Sequence, residues 1–147
     1  MSEQTEIEDW TVSLFRDLVS YGFSGPRIVH QSWMTAIDWS YLGISIEIEL
    51  DWREREVFCL IVRLENGDLP AGYYVSNGMP CRYHLLKIIR LRKWPADQDA
   101  MNAILSRRKP HTVPRDSEEM KRYVQAYRSI VISCIMNITS EANDIFA

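Results

Sequence analysis

The segment Ile44–Asp51 alternates apolar and polar residues over eight positions, and this alternation limits the possible fold more than any other feature. Successive side chains of a β-strand point to opposite faces of a sheet, so one set enters a core and the other lies outside it. The apolar set is Ile44, Ile46, Ile48 and Leu50, and the polar set is Ser45, Glu47, Glu49 and Asp51. The segment is therefore predicted to be a strand with one buried face and one acidic, solvated face.

The flanking sequence predicts an α+β fold in a single domain over residues 1–147. Apolar residues at helical spacing predict an N-terminal helix over residues 6–21, with Gly22 at its end. Short apolar runs separated by turn residues predict an antiparallel meander of about four strands. Helical spacing returns after Pro80, and an apolar stripe over residues 120–138 predicts C-terminal helices that include one long helix capped by Asp116.

Composition indicates a globular protein outside the membrane. The 147 residues are 46% hydrophobic and 25% charged, and no apolar run reaches the roughly 20 residues needed to cross a bilayer. The N-terminus lacks the basic segment and the apolar segment of a signal peptide, so residence in the cytoplasm is expected. The cysteines are Cys59, Cys81 and Cys134, an odd number without C-x-x-C spacing, and we expect them to be reduced thiols.

The acidic row of Glu47, Glu49 and Asp51 has three possible roles. The row could be a solvated face that keeps the protein soluble, or a face that binds the basic surface of a partner. The third possibility is that it contains carboxylates that bind a divalent metal or act as a catalytic pair. Aromatic residues close by in sequence favour partner binding, because aromatic anchors beside charge are typical of interfaces. The predicted partner-binding residues are Glu47, Glu49, Asp51, Trp39, Tyr41 and Trp52.

No motif for catalysis accompanies these carboxylates. A nuclease of the restriction-enzyme type needs an E-x-K element, and Glu47-Ile48-Glu49 lacks the lysine. The histidines are scattered, and neither a nucleophile elbow nor a glycine-rich phosphate loop is present. We therefore expect no catalytic residue, metal or cofactor, with a small metal-dependent hydrolase as the minor alternative.

Two further partners are considered. Basic residues are frequent in the C-terminal half, so a nucleic-acid-associated regulator is the alternative function, although an isoelectric point of about 5.6 argues against it. The stripe over residues 120–138 could also support a homodimer. The basic residues are Arg82, Lys87, Arg90, Arg92 and Lys93, followed by residues 107–109.

The order of helices and strands along the chain is similar to that of a known class of proteins. A first helix ends in Tyr21-Gly22-Phe23, a meander contains Ile44-Ser45-Ile46-Glu47-Ile48-Glu49-Leu50-Asp51 and Glu56-Val57-Phe58-Cys59-Leu60-Ile61, and helices follow. This order resembles that of the small immunity proteins that bacteria encode beside polymorphic or contact-dependent toxins. The resemblance implies a cytoplasmic α+β protein without enzymatic activity, which binds one cognate toxin domain and blocks its active site or substrate entry. Such families vary most where they bind, so no functional residue is carried over.

Overall fold

The computed structural model describes residues 2–107 and 116–147 and has α+β architecture. The chain begins with helix α1 (Glu3–Leu14) and a 3-10 helix (Phe15–Tyr21). Its strands are β1 (Ser24–His30), β2 (Met34–Tyr41), β3 (Ile44–Asp51), β4 (Glu56–Arg63), β5 (Val75–Ser76), β6 (Met79–Pro80) and β7 (Arg82–His84). The remaining helices are α2 (Leu85–Arg92), α3 (Gln98–Arg107), α4 (Ser117–Ser133) and α5 (Ile135–Ser140).

The main sheet is antiparallel, with five strands in the order β1-β2-β3-β4-β7, and it confirms the predicted meander with one strand more than expected. The register places Ile37 opposite Ile48, and Ile48 opposite Cys59. Residues opposite one another on neighbouring strands share a face, so these three lie on one side of the sheet. That side forms the core with the helices, and all four apolar residues of the alternating segment are buried in it.

The N-terminal helix is confirmed, but its second half is a 3-10 helix. Gly22 ends this segment in the left-handed conformation (φ 95°), as its position predicted, and the Phe23 amide donates to the Leu18 carbonyl at 3.1 Å. At the start of α4 the Asp116 side chain accepts a hydrogen bond from the Glu119 amide at 2.9 Å, which confirms the predicted cap. The sequence also predicts a basic connector over residues 107–115, with prolines at 110 and 114, and residues 108–115 of it lie outside the described residues.

The long C-terminal helix ends earlier than its stripe predicted. Helix α4 has 17 residues, and Cys134 separates it from α5. Ser133 Oγ donates to the Ile130 carbonyl and accepts the Asp97 amide, and side-chain bonds of this kind to the preceding turn bend helices. Tyr127 is buried, so the stripe lies in the core. An exposed Tyr127 would favour a homodimer through this helix. The homodimer stays a prediction, and the buried Tyr127 does not favour it.

Candidate functional site

The acidic row of β3 is buried, and the expectation of a solvated face is wrong. Glu47 is 1% exposed, Glu49 is 3% exposed and Asp51 is 8% exposed. Residues 65–80, which we call the cover loop, follow β4 and contact this face of the sheet through Tyr73. The predicted partner-binding carboxylates therefore do not present their charge at the surface.

Glu47 forms an ion pair with Arg82 that joins the sheet to the cover loop. Arg82 Nε lies 3.1 Å from Glu47 Oε1, and Nη2 lies 3.3 Å from Oε2. The third nitrogen, Nη1, donates to the carbonyls of Gly72 and Tyr73 at 3.1 and 2.9 Å. The guanidinium also lies over the Tyr73 ring, 4.9 Å from its centroid. One arginine thus neutralises a buried carboxylate and binds the backbone that covers it.

Glu49 is the second buried carboxyl of this network. Its Oε1 accepts the Tyr73 hydroxyl at 2.7 Å, whereas Oε2 has no hydrogen-bond partner among the described residues. Burial is the main cause that raises the pKa of Glu49, to about 8, and the neighbouring Glu47 carboxyl contributes to the same rise. Tyr73 and Arg82 oppose this rise. Glu49 is therefore largely protonated at neutral pH, as expected for a carboxyl beside a like charge in a poorly solvated site.

The other predicted site residues lie elsewhere. Asp51 Oδ1 accepts the Glu54 amide at 2.8 Å and so caps the β3–β4 turn. Trp39 is buried on the helical face of the sheet, where it stacks on Phe15 at 5.2 Å. Register therefore separates the predicted acidic and aromatic residues, because Glu47 lies opposite Asp38 and Trp39 lies opposite Ile46.

Tyr41 and Trp52 are partly buried rather than presented as anchors. Tyr41 packs on Phe23 with ring centroids 5.0 Å apart. Trp52 Nε1 donates to Thr35 Oγ1 at 2.9 Å. Both contacts are internal, so the structure does not unite the six predicted residues in one surface.

The cover loop instead carries an exposed apolar surface that the sequence reading missed. Four large side chains are between 40% and 58% exposed, and we call them the loop patch: Tyr73, Tyr74, Val75 and Met79. Val75 and Met79 lie on the β5–β6 hairpin, whose turn contains Asn77 and Gly78 at φ values of 52° and 74°, and the two tyrosines directly precede the hairpin. The sequence signal was the run Tyr73-Tyr74-Val75, which, with the turn Asn77-Gly78 after it, predicts a short strand of the meander. In the structure only Val75 of this run belongs to a strand, and that strand lies outside the five-stranded sheet.

A groove lies beside the loop patch, along α2. It has a volume of about 420 Å³ and is lined by Tyr83, Lys87, Ile88, Leu91, Arg92 and Ile145. A shallower depression of about 250 Å³ shares Tyr83 and Lys87 with it and extends to Tyr74 and Val75. The groove and the loop patch therefore form one continuous surface, which the sequence reading divided between a strand and a helix.

The charge around this groove is positive. Residues 80–96 include five basic residues and no acidic one. Arg82 is paired with Glu47, and Arg92 is paired with Glu141 at 2.7 Å. The other three are Lys87, Arg90 and Lys93; all are exposed, and no described residue forms an ion pair with them. Lys87 lies over the Tyr83 ring, 5.8 Å from its centroid.

The histidines and cysteines of the described residues are engaged in internal contacts or buried. No group of three or more His, Cys, Asp or Glu within residues 2–107 and 116–147 is placed to hold a metal ion. His30 Nε2 lies 2.8 Å from Glu8 Oε2, and His84 Nε2 lies 3.0 Å from the Tyr74 hydroxyl. All three cysteines are buried, and burial raises the pKa of Cys59 well above its usual value and that of Cys134 to about 12. These two thiols are therefore poor nucleophiles near neutral pH.

Comparison of this chain with family models, with curated proteins and with solved structures gives no match. Among the helices of the described residues, none has the length and apolar character to cross a membrane.

Proposed function

We propose that this chain is a non-enzymatic protein that binds a cognate bacterial toxin domain and neutralises it by occluding its active site or substrate entry. The observation that carries the proposal is the loop patch, in which Tyr73, Tyr74, Val75 and Met79 are exposed together on one short hairpin and the two residues before it. Tyrosine and methionine are enriched at protein interfaces, and tyrosines are frequent among the residues that dominate binding energy. Action in the cytoplasm remains part of this proposal.

The anchoring of the cover loop supports a role in recognition. Arg82 binds the loop backbone at Gly72 and Tyr73, and the Tyr73 hydroxyl binds Glu49. A loop that is ordered before its partner arrives loses less conformational entropy on binding, so more of the contact energy becomes affinity. Glu47 and Glu49 therefore have an indirect role in this proposal, because through Arg82 and Tyr73 they hold the loop that presents the contact residues.

The experiment tests whether this chain protects bacteria from the toxin domain that we expect the reading frame immediately upstream to encode. Bacteria that express this domain should grow when the wild-type chain is co-expressed, and the two proteins should co-purify. We expect the triple variant Tyr74→Ala, Val75→Ala, Met79→Ala to lose protection and to bind at least about 100-fold more weakly, because each truncation removes a central apolar contact.

The matched control truncates three equally exposed apolar residues away from the loop patch: Val19→Ala, Leu42→Ala and Met136→Ala. This variant should protect like the wild type. Full protection by the loop-patch variant would overturn the assignment of the surface, and an upstream frame without a toxic product would count against the function itself.

A further inference from the structure

The α2 groove has an apolar floor and a cationic margin, which consists of Lys87 in the lining and of Arg90 and Lys93, which adjoin the lining residues Leu91 and Arg92 along the chain. Leu91 is 70% exposed, and Ile88 and Ile145 also line the groove. On α2, Arg90 and Leu91 lie three and four residues after Lys87. Residues at these spacings are neighbours on a helix surface, so the three lie on the same outer face of α2. An exposed leucine between two cations is a surface that both apolar and anionic groups can contact.

The charges of this margin are not balanced within the described part of the chain. The acidic residue Glu141 accepts from Arg92 Nη1 and from Trp94 Nε1, each at 2.7 Å. It is therefore already engaged on both carboxylate oxygens. Lys87, Arg90 and Lys93 remain as three exposed positive charges, although the whole chain has a net charge of -3.

We propose that the α2 groove binds an acidic, amphipathic segment of the partner protein, with apolar side chains over Leu91 and carboxylates facing Lys87, Arg90 and Lys93. The inference rests on the proposed function in one respect: it places the same partner on the surface that continues from the loop patch. It reverses the polarity predicted from the sequence, in which an acidic face met a basic partner. Complementary charge at such a margin speeds association and selects the partner.

A peptide fits these features better than a nucleic acid does. The groove walls include Ile88, Leu91 and Ile145, which offer apolar contact that a phosphate backbone does not use. Nucleic-acid-binding domains are usually strongly basic, whereas this chain has an isoelectric point of about 5.6. Three cations beside an apolar floor match an acidic amphipathic helix, whose apolar stripe and charged face lie side by side.

The test selects ligands from a phage-displayed library of random peptides on the purified wild-type chain. We expect enriched peptides to combine acidic and apolar residues. Their affinity should fall at least about tenfold for the triple variant Lys87→Glu, Arg90→Glu, Lys93→Glu, and also for Leu91→Ala. The matched control reverses three exposed arginines that lie outside α2 and the groove, Arg16→Glu, Arg53→Glu and Arg122→Glu, and should bind like the wild type. Circular dichroism checks that each variant is folded.

Several outcomes would overturn the inference. Enriched peptides without acidic residues, or with equal affinity for the groove variant, would exclude an acidic segment. Binding of a labelled 20-nucleotide DNA at about 50 mM salt, lost in the groove variant and tighter than that of any peptide, would assign the groove to nucleic acid instead. Peptide binding at the groove together with failed toxin protection would support this inference and reject the proposed function, and the reverse combination would reject the inference alone.

Discussion

Glu49 is a carboxyl group that the fold holds where a negative charge is poorly solvated. It is buried beside Glu47, and Arg82 supplies the only positive charge that either carboxyl contacts within the described residues. The pKa of Glu49, raised to about 8, means that the folded chain binds this proton more tightly than the unfolded chain does. The stabilisation from this proton is complete below about pH 4.5 and is lost as the pH rises towards about 8.

We therefore expect Glu49→Gln to change how stability depends on pH. The amide imitates the protonated carboxyl: it still accepts the Tyr73 hydroxyl, and it donates without a titratable proton. From pH 5 to pH 8 the wild type should lose on the order of 2 to 4 kcal/mol that the variant retains, since one pKa unit corresponds to about 1.4 kcal/mol. Urea denaturation across this pH range measures the difference.

The matched control is Glu54→Gln, the same chemical change at an exposed position. Its stability curve should run parallel to that of the wild type. Parallel curves for Glu49→Gln and the wild type would show that Glu49 ionises normally in the folded chain and would reject this account of the buried row.

The sequence could predict which residues share a face of the strand, but not whether that face meets water. Alternation at period two assigns Glu47 and Glu49 to one side of β3 because backbone geometry dictates it. Burial of that side depends on Arg82 and Tyr73, which lie 35 and 24 positions away along the chain. Pairing across such separations is decided by the path of the cover loop, which a local pattern does not encode.

The cover loop and β7 are held on the sheet by polar contacts as well as by packing. Arg82 attaches the loop to the sheet, because its side chain donates both to Glu47 on β3 and to two carbonyls of the loop. Arg63 adds a second attachment, because its Nε donates to the Pro80 carbonyl at 3.0 Å and its Nη2 to the Ser76 carbonyl at 3.1 Å. Both arginines thus bind the backbone of the cover loop, which orders the hairpin that carries the loop patch.

We expect Arg82→Met to destabilise the chain by about 3 kcal/mol, because it leaves the buried Glu47 carboxylate without its partner. Chemical denaturation measures the loss, and hydrogen exchange should show faster exchange across residues 72–81 first. The double variant Glu47→Gln, Arg82→Met should recover part of the lost stability because it removes the unpaired charge.

Arg16→Met is the control at an exposed position and should stay within about 0.5 kcal/mol of the wild type. Equal stability of Arg82→Met and the wild type would mean that the ion pair does not hold the cover loop. No recovery in the double variant would assign the loss to packing of the arginine rather than to charge.

Elements were predicted well where one periodicity persists and less well where side-chain bonds interrupt it. The stripe of α4 continues in α5 at Ile135 and Ile138, so spacing alone indicated one helix. The break at Cys134 follows contacts of Ser133 with Ile130 and with Asp97, and the second of these is tertiary. The short strand β7 was missed, because the residues after Pro80 were assigned to helical spacing and Arg82-Tyr83-His84 is recognisable as a strand only by its pairing with β4.

At the scale of the whole molecule, folding redistributes the charge that the sequence displays. The N-terminal part through Val62 is strongly acidic, yet its central carboxylates are buried or paired. Asp38 is bound by Arg27, whose Nε and Nη2 lie 2.9 Å from its carboxylate oxygens. The cations of α2 stay at the surface beside the groove. The surface around the groove and the loop patch is therefore basic and apolar, although the chain as a whole is acidic.

This distribution predicts how capture of the proposed toxin partner depends on salt. If carboxylates of the partner meet Lys87, Arg90 and Lys93, the association rate should fall at least about tenfold as salt rises from about 20 to about 300 mM, because screening shortens the reach of attraction. The Lys87→Glu, Arg90→Glu, Lys93→Glu variant should associate slowly at low salt and lose this dependence. Stopped-flow fluorescence measures both rates. The Arg16→Glu, Arg53→Glu, Arg122→Glu control carries the same net charge, so equal slowing of both variants would assign the effect to total charge. Faster association of the groove variant would mean that the partner's face is basic.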